Sequence, residues 1–267
     1  MERQKKEVLI IIPAYNEGKT IEAVLKKLEE PEIASFADVL VMNDASKDET
    51  EYVVKKRNHA VVTHIFNLGY GSGLQVGYKY AQRYGYEYVI QMDADGQHDP
   101  SNVRKLYDAL KTKNEKGEYP DIVIGSRFVD GAISFPVPVT KKIAFVLFRF
   151  LIKAATGQKL MDPTSGLQGL SKRTVWYYSN FSHFDDKYPD ANMLMQMCLL
   201  GYNVEEIPAV MYARNEGTSM HSGIIKPMIY MIRMMFSIIA VWMRVKLFKV
   251  DISSVEDHKK LESFEKE

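Results

Sequence analysis

A chain of 267 residues can bury a sizeable core in one large domain, and its 46% hydrophobic and 26% charged residues are ordinary for a folded soluble protein. The formal net charge of +1 gives no global field for nucleic acid, so nucleic acid is not expected as a partner. The one cysteine, Cys198, excludes an internal disulfide and reads as a buried thiol in a reducing compartment. The apolar run before Pro13 is too short for a signal peptide, so a cytoplasmic location is expected.

In chain order, "EVLIII" reads as a buried strand and "TIEAVLKKLEE" as a helix with helically spaced apolar residues. "DVLVMND" is a second strand, "KDETEYVVKKRN" a helix and "AVVTHIF" a third strand. Then come helix "GLQVGYKYAQRYG", strand "YEYVIQMD", helix "DPSNVRKLYDALKTK" and strand "DIVIGSR". Apolar strands alternating with helices predict an α/β fold, a mostly parallel sheet with helices on both faces. The second half is less regular. It reads as an apolar helix over "KKIAFVLFRFLIKAAT", a Gly-rich loop "DPTSGLQGLSK", a helix "DANMLMQMCLLGYN", an edge strand "VEEIPAVMY" and a long final helix from Lys226. The expected organisation is a catalytic domain over 1–222, an amphipathic helix over 223–252 and a charged tail over 253–267.

Polar surprises sit where strands end: "PAYNE", "NDASKD", "NLGYGSG" and "DADGQHD". In such sheets ligands bind beyond the carboxyl ends of the strands, so four loops on one edge make a site. Asp93 and Asp95 offer hard oxygen ligands of the kind magnesium or manganese prefers, with room for phosphate oxygens. The competing reading is a wet turn, although Asp99 before Pro100 suffices as the helix cap. Asp44 can read a nucleobase or serve turn chemistry with Ser46 and Asp48. Gly69, Gly71 and Gly73 before a helix let backbone approach an anion, but without an acidic ribose partner a hydride-transfer dinucleotide site is not expected.

Taken together, "PAYNEG", "NDASKDET", "NLGYGSG", "MDADGQHDP", "GSR" and "DPTSGLQG" resemble the family 2 glycosyltransferases of the GT-A fold, in that family's order. The flavour is that of the catalytic domain of polyprenyl-phosphate mannose and glucose synthases. The resemblance implies that Pro13, Ala14, Tyr15, Glu17, Asp44, Gly71, Asp93, Ala94 and Arg214 bind a nucleotide-sugar donor (UDP-, dTDP- or GDP-linked). It implies that Asp95, Gln97 and His221 hold Mg2+ or Mn2+, and that Asp190 is the general base, with a plain helix N-cap as the alternative. The remaining histidines read as surface residues. Those synthases commonly carry a lysine in the loop that here reads Gly217-Thr218-Ser219-Met220, which leaves room for a sugar hydroxyl as acceptor instead of a lipid phosphate. A sugar-phosphate nucleotidyltransferase and a non-catalytic membrane adaptor are the rival readings.

The last helix has only residues 234–243 uncharged between Arg233 and Arg244, where a span needs about 20. Lys226, Tyr230, Arg233, Ser237, Ala240 and Arg244 share a narrow face, and Lys142, Arg149 and Lys153 align on the earlier apolar helix. A narrow basic stripe on a wide apolar helix predicts a peripheral helix whose cations meet lipid phosphates. Lys142, Arg149 and Arg127 are therefore the candidate contacts to an acceptor or lipid phosphate. A lipid-linked acceptor and the membrane surface are the expected partners. A small integral membrane protein or another copy of the chain is the alternative cover for this Met-rich surface.

Overall fold

The computed structural model describes residues 6–136, 139–213 and 225–249, without the side chains of 139–141 and 225–227. The first half follows the alternation: β1 (Val8–Ala14), α1 (Ile21–Leu28), the short α2 (Pro31–Ala34), β2 (Ala37–Asn43), α3 (Thr50–Lys56), β3 (Ala60–Thr63), α4 (Tyr70–Arg83), β4 (Tyr88–Gln91), α5 (Ser101–Leu110) and β5 (Ile122–Ser126). Then follow α6 (Val139–Thr156), β6 (Gln168–Ser171), α7 (Lys172–Ser179), α8 (Ala191–Leu199), β7 (Val204–Pro208) and α9 (Ile225–Trp242), which runs on as a π-turn over Met243–Leu247.

One seven-stranded sheet has the order β3-β2-β1-β4-β6-β5-β7. β1 pairs in parallel with β2 on one side and β4 on the other, so the crossover direction reverses beside β1 and opens a crevice there. Side chains sort by the two-residue period of a strand. Leu9 and Ile11 join a core under α4, α7, α8 and α9, whereas Val8, Ile10 and Ile12 join a second core under α1, α3 and α5. This is the GT-A-like α/β architecture expected.

Two elements differ from expectation. The Gly-rich stretch read as a loop contains β6, an interior strand antiparallel to both β4 and β5. Gly169 misled the reading: α5 crosses so close that a β-carbon there would lie 3.0 Å from Leu110 Cδ1. The next residues form α7, whose cap Ser171 accepts from the Thr174 amide. The edge strand at the far side, β7, is as expected and pairs with β5.

The final helix corrects the lipid-facing assignment of its stripe. Tyr230, Ser237 and Arg244 turn inward onto α8, alongside buried Met234, Ile238, Val241 and Val245. The exposed face is the apolar one, with Ile232, Phe236, Ile239 and Met243, and Arg233 is exposed. By length and composition alone Met228–Leu247 could cross a bilayer, a longer window than the gap between the arginines suggested.

Candidate active site

The loops after β1 and β2 are laced to each other through backbone. Asn16, at φ 56°, donates its amide to Ser46 Oγ (2.9 Å) and accepts from the Lys47 amide (2.8 Å). The Gly18 amide donates to Asp48 and the Glu17 amide to Thr50 Oγ1, each at 2.9 Å. Asp48 thus does the turn work expected of it. Pro13 and Ala14 end β1, Tyr15 is 44% exposed, and the Glu17 carboxylate accepts from the Thr20 hydroxyl at 2.7 Å.

Asp44 is buried and gathers the loop after β3: it accepts from the Leu68 and Gly69 amides and pairs with His64 Nδ1, all at 2.8 Å. Gly71, expected beside the donor, lies against the chain before α8, where a β-carbon would collide with the Asp185 carbonyl. The close approach its missing side chain permits is to protein.

Beyond β4, Asp93 accepts from the Tyr70 hydroxyl (3.0 Å), and Gln91 Nε2 donates to that same oxygen (3.1 Å) and to the Gly166 carbonyl (3.0 Å). The Asp93 amide donates to His98 Nδ1 at 3.1 Å. His98 is buried, and burial holds its imidazole down to about 4, so it is neutral and works as a prop. His183 is buried too, and His59 and His64 are largely covered; the surface assignment fails for all four. Asp95 accepts from the Gln97 amide (3.0 Å), and Gln97 Nε2 donates to the Tyr212 carbonyl (3.3 Å), tying the acidic turn to the strand-like segment at Met211. Ala94 is buried between the two acids. Cys198, expected buried, is partly covered, and burial still pushes its thiol up to about 12.

Arg127 ends β5 as a bidentate partner of fully buried Asp162, through Nε (2.7 Å) and Nη2 (2.6 Å), and also reaches Thr164 (3.1 Å). Its guanidinium lies over the Phe128 and Phe145 rings. Burial works against this charge, but Asp162, joined by the fields of Asp190 and Asp93, raises its pKa. Arg127 is thus a fixed cation whose fork is already committed. Arg149 stacks on Phe128 at 4.7 Å with its Nε buried and without an acceptor among the described residues, and Lys142 is exposed.

Asp190 opens α8, yet its side chain makes no cap bond. The carboxylate accepts from the Tyr230 hydroxyl of α9 at 2.6 Å. Burial pushes its pKa up to about 6; Tyr230 pulls it down, while Asp93 adds to the rise and Arg127 opposes it. Tyr70 feels both acids, and burial with the Asp93 and Asp190 charges holds its phenol well above the usual range, so it stays a donor. Asp93, Asp190, Arg127 and Tyr70 therefore share one electrostatic neighbourhood. Arg214 and His221 lie outside the described residues.

Sequence reasoning missed Tyr70, Gln91, Asp162 and Tyr230. Tyr230 left a signal as a phenol in the polar stripe of an apolar helix, and Tyr70 and Asp162 lie inside the motifs "NLGYGSG" and "DPTSGLQG" without a role read for either. Hard oxygens at the half-buried Asp93 and Asp95 suit a divalent cation, though among the described residues no group of three or more His, Cys, Asp or Glu is arranged so that it could hold a metal ion by itself. Such a cation would need the oxygens of a phosphate ligand to complete its shell.

With a switch-point crevice, an acidic turn beyond β4 and a half-buried carboxylate near it, the architecture is that of a GT-A-type enzyme. The chain belongs to glycosyl transferase family 2, whose family model matches residues 9–178. It is 29% identical over 224 residues to an undecaprenyl-phosphate mannosyltransferase of Micrococcus luteus, covering 81% of this chain and 88% of that one. It is 28% identical to the polyprenol monophosphomannose synthase of Mycolicibacterium smegmatis, covering 83% of each. Among solved structures it resembles the glucosyl-3-phosphoglycerate synthase of Mycobacterium tuberculosis in complex with Mn2+, UDP-glucose and phosphoglyceric acid, with a TM-score of 0.64 at 18% identity over 89% of this chain and 80% of that one.

Proposed function

We propose that this glycosyltransferase moves one sugar from a nucleoside diphosphate sugar to a polyprenyl phosphate at the cytoplasmic face of a membrane, with inversion, in the synthesis of a cell-surface glycan. The observation that carries the transfer chemistry is Asp190, a half-buried carboxylate held by the Tyr230 hydroxyl at 2.6 Å and raised to about 6, which shares its surroundings with the acidic turn. A carboxyl with that affinity is ionised near neutral pH yet binds a proton better than an exposed acid, as a general base requires. The names of the Micrococcus and Mycolicibacterium relatives support a polyprenyl acceptor, and the ligands of the Mycobacterium neighbour support a metal and a nucleotide sugar.

Asp95 and Asp93 would hold Mg2+ or Mn2+ together with diphosphate oxygens, with Gln97 beside them. A cation bound there neutralises charge on the departing nucleoside diphosphate. Tyr70 and neutral His98 hold Asp93 in place through its carboxylate and its amide. Pro13, Ala14, Tyr15, Glu17 and Asp44 line the nucleoside side. Asp190 takes the one remaining proton of a singly protonated lipid phosphate as the phosphate oxygen attacks the sugar from the face opposite the leaving group, whose bond to the anomeric carbon breaks. Arg127 offsets the charge gathered by the two acids, and Arg149 with Lys142 offers cations toward a lipid phosphate. The exposed apolar face of α9, with Ile143, Val146 and Phe150 of α6, supports seating on a bilayer surface.

One second reading has its own support. The loop at Gly217–Met220 lacks the lysine common in lipid-phosphate transferases, and a raised carboxyl suits deprotonation of a sugar hydroxyl. The deciding experiment offers GDP-mannose, UDP-glucose and UDP-N-acetylglucosamine with manganese and undecaprenyl phosphate. Nucleoside diphosphate release that depends on the lipid supports the proposal. Release of pyrophosphate, or no release with any acceptor, sinks it.

A further inference from the structure

Tyr230, Ser237 and Arg244 recur at seven-residue intervals, two helical turns, and so lie along one face of α9 and its extension. Each takes part in a side-chain hydrogen bond to α8 or to Asp190 just before it. Tyr230 Oη donates to Asp190 Oδ2 at 2.6 Å, Asn192 Nδ2 to Ser237 Oγ at 2.8 Å, and Arg244 Nη2 to Gln196 Oε1 at 2.7 Å. Asn192 and Gln196 are buried and are held in turn by Asp185 (2.8 Å) and by the Tyr177 hydroxyl (2.8 Å). A helix serving only as an anchor needs an apolar outer face and gains nothing from burying a phenol, a hydroxyl and a guanidinium on its inner one. Polar contacts of this kind fix register. A slip of one residue along α9 rotates the stripe by about 100° and breaks all three bonds at once.

We propose that α9 belongs to the catalytic unit and that Tyr230 is the positioning residue of the base: it grips one oxygen of Asp190 and leaves the other to take the proton of the acceptor. The contacts at Asn192–Ser237 and Gln196–Arg244 keep the phenol in register. The bilayer-facing and base-holding faces are then opposite sides of one helix, so the way the chain sits on a membrane is mechanically tied to its chemistry. This rests on the reading of Asp190 as the base. The groups facing that carboxylate are Tyr230 from α9, Asp185 from the turn before α8, Asp93 beyond β4, Arg127 at the end of β5 and Tyr70 from α4. Of these, Tyr230 donates to it directly and favours its ionised form, so losing the phenol raises the pH at which the base protonates.

The test uses the full chain with manganese, undecaprenyl phosphate and a mixture of GDP-mannose, UDP-glucose and UDP-N-acetylglucosamine, reading nucleoside diphosphate release from about pH 5 to about pH 9. Tyr230→Phe should move the acid limb of kcat up by about one pH unit, so that turnover near the limb falls about tenfold and returns at alkaline pH. The KM for donor and flotation with vesicles should stay as in the parent. Adding Tyr230→Phe to Asp190→Asn should cost nothing further, because the phenol acts only through the carboxylate. Should Tyr230→Phe not fold, Arg244→Gln carries the test, with lower kcat at unchanged donor KM as its expected result. A parental kcat and pH profile in Tyr230→Phe, or in the substitute Arg244→Gln a parental kcat, beside an inactive Asp190→Asn, overturns this inference alone. An active Asp190→Asn removes the base itself and with it the reading beneath.

Discussion

The two sides of the site are built by different means. On the proposed donor side, loops after parallel strands are tied down through main-chain amides: those of Asn16, Gly18, Leu68 and Gly69 all end on side-chain oxygens of a neighbouring loop. On the base side the fixing contacts run between side chains far apart in sequence, as in Tyr230–Asp190 and Arg127–Asp162. Amide lacing tolerates many side-chain changes and gives a rigid cradle. A side-chain clamp is sensitive to single substitutions and can tune a pKa.

Substitutions can separate the two. The largest effect is expected from Asp190→Asn: turnover falls by about a thousandfold or more, while the donor still binds, since a base contributes roughly 10²–10⁴. Thermal shift with and without nucleotide sugar measures the retained binding. The same variant should melt higher at alkaline pH. An unfolded Asp ionises near about 4, whereas Asp190 holds its proton to about 6. Stability present below the lower value is therefore lost as pH rises through the upper one. Over about two pH units that is roughly 2–3 kcal/mol, which the amide avoids, so the gain should vanish in acid.

Asp162→Ala should rank next. It strands the Arg127 guanidinium in a covered site, at a cost of about 3–5 kcal/mol measured by urea unfolding. On the proposed donor side, Asp95→Ala should abolish the manganese-dependent part of the thermal shift with nucleotide sugar and leave the unfolding free energy of the free protein within about 0.5 kcal/mol of the parent. An unchanged shift would remove Asp95 from the cation. The smallest effect falls on the outer surface: Phe236→Glu, at a position 63% exposed, should weaken flotation with anionic vesicles several-fold and barely change the melt.

The same contrast explains what could be read from the sequence. Asp44, Asp93 and Asp95 were legible because apolar strands announce their own carboxyl ends, so an acid just beyond one is placed in space by its neighbours in the chain. Nothing local announces that Asp162 will meet Arg127, or that Tyr230 will meet Asp190. Those encounters are products of tertiary packing. The α9 stripe was visible as a pattern, but periodicity states which residues share a face and not what that face touches, and so it was assigned to lipid. β6 was hidden for a related reason, since a glycine demanded by close helix packing looks the same in sequence as a glycine demanded by a turn.

The place of β6 sets an order of assembly. Strands β1 to β4 find all their mutual partners within the first 91 residues, but β5 pairs only with β6 and β7, both encoded much later. While the chain emerges from the ribosome, the half built on β1 to β4 can therefore close early, with the free edge of β4 waiting for Gln168–Ser171 to be synthesised. A late-arriving wedge of four residues then joins the halves, and until it docks the nascent chain carries an open strand edge of the kind that invites pairing with another chain.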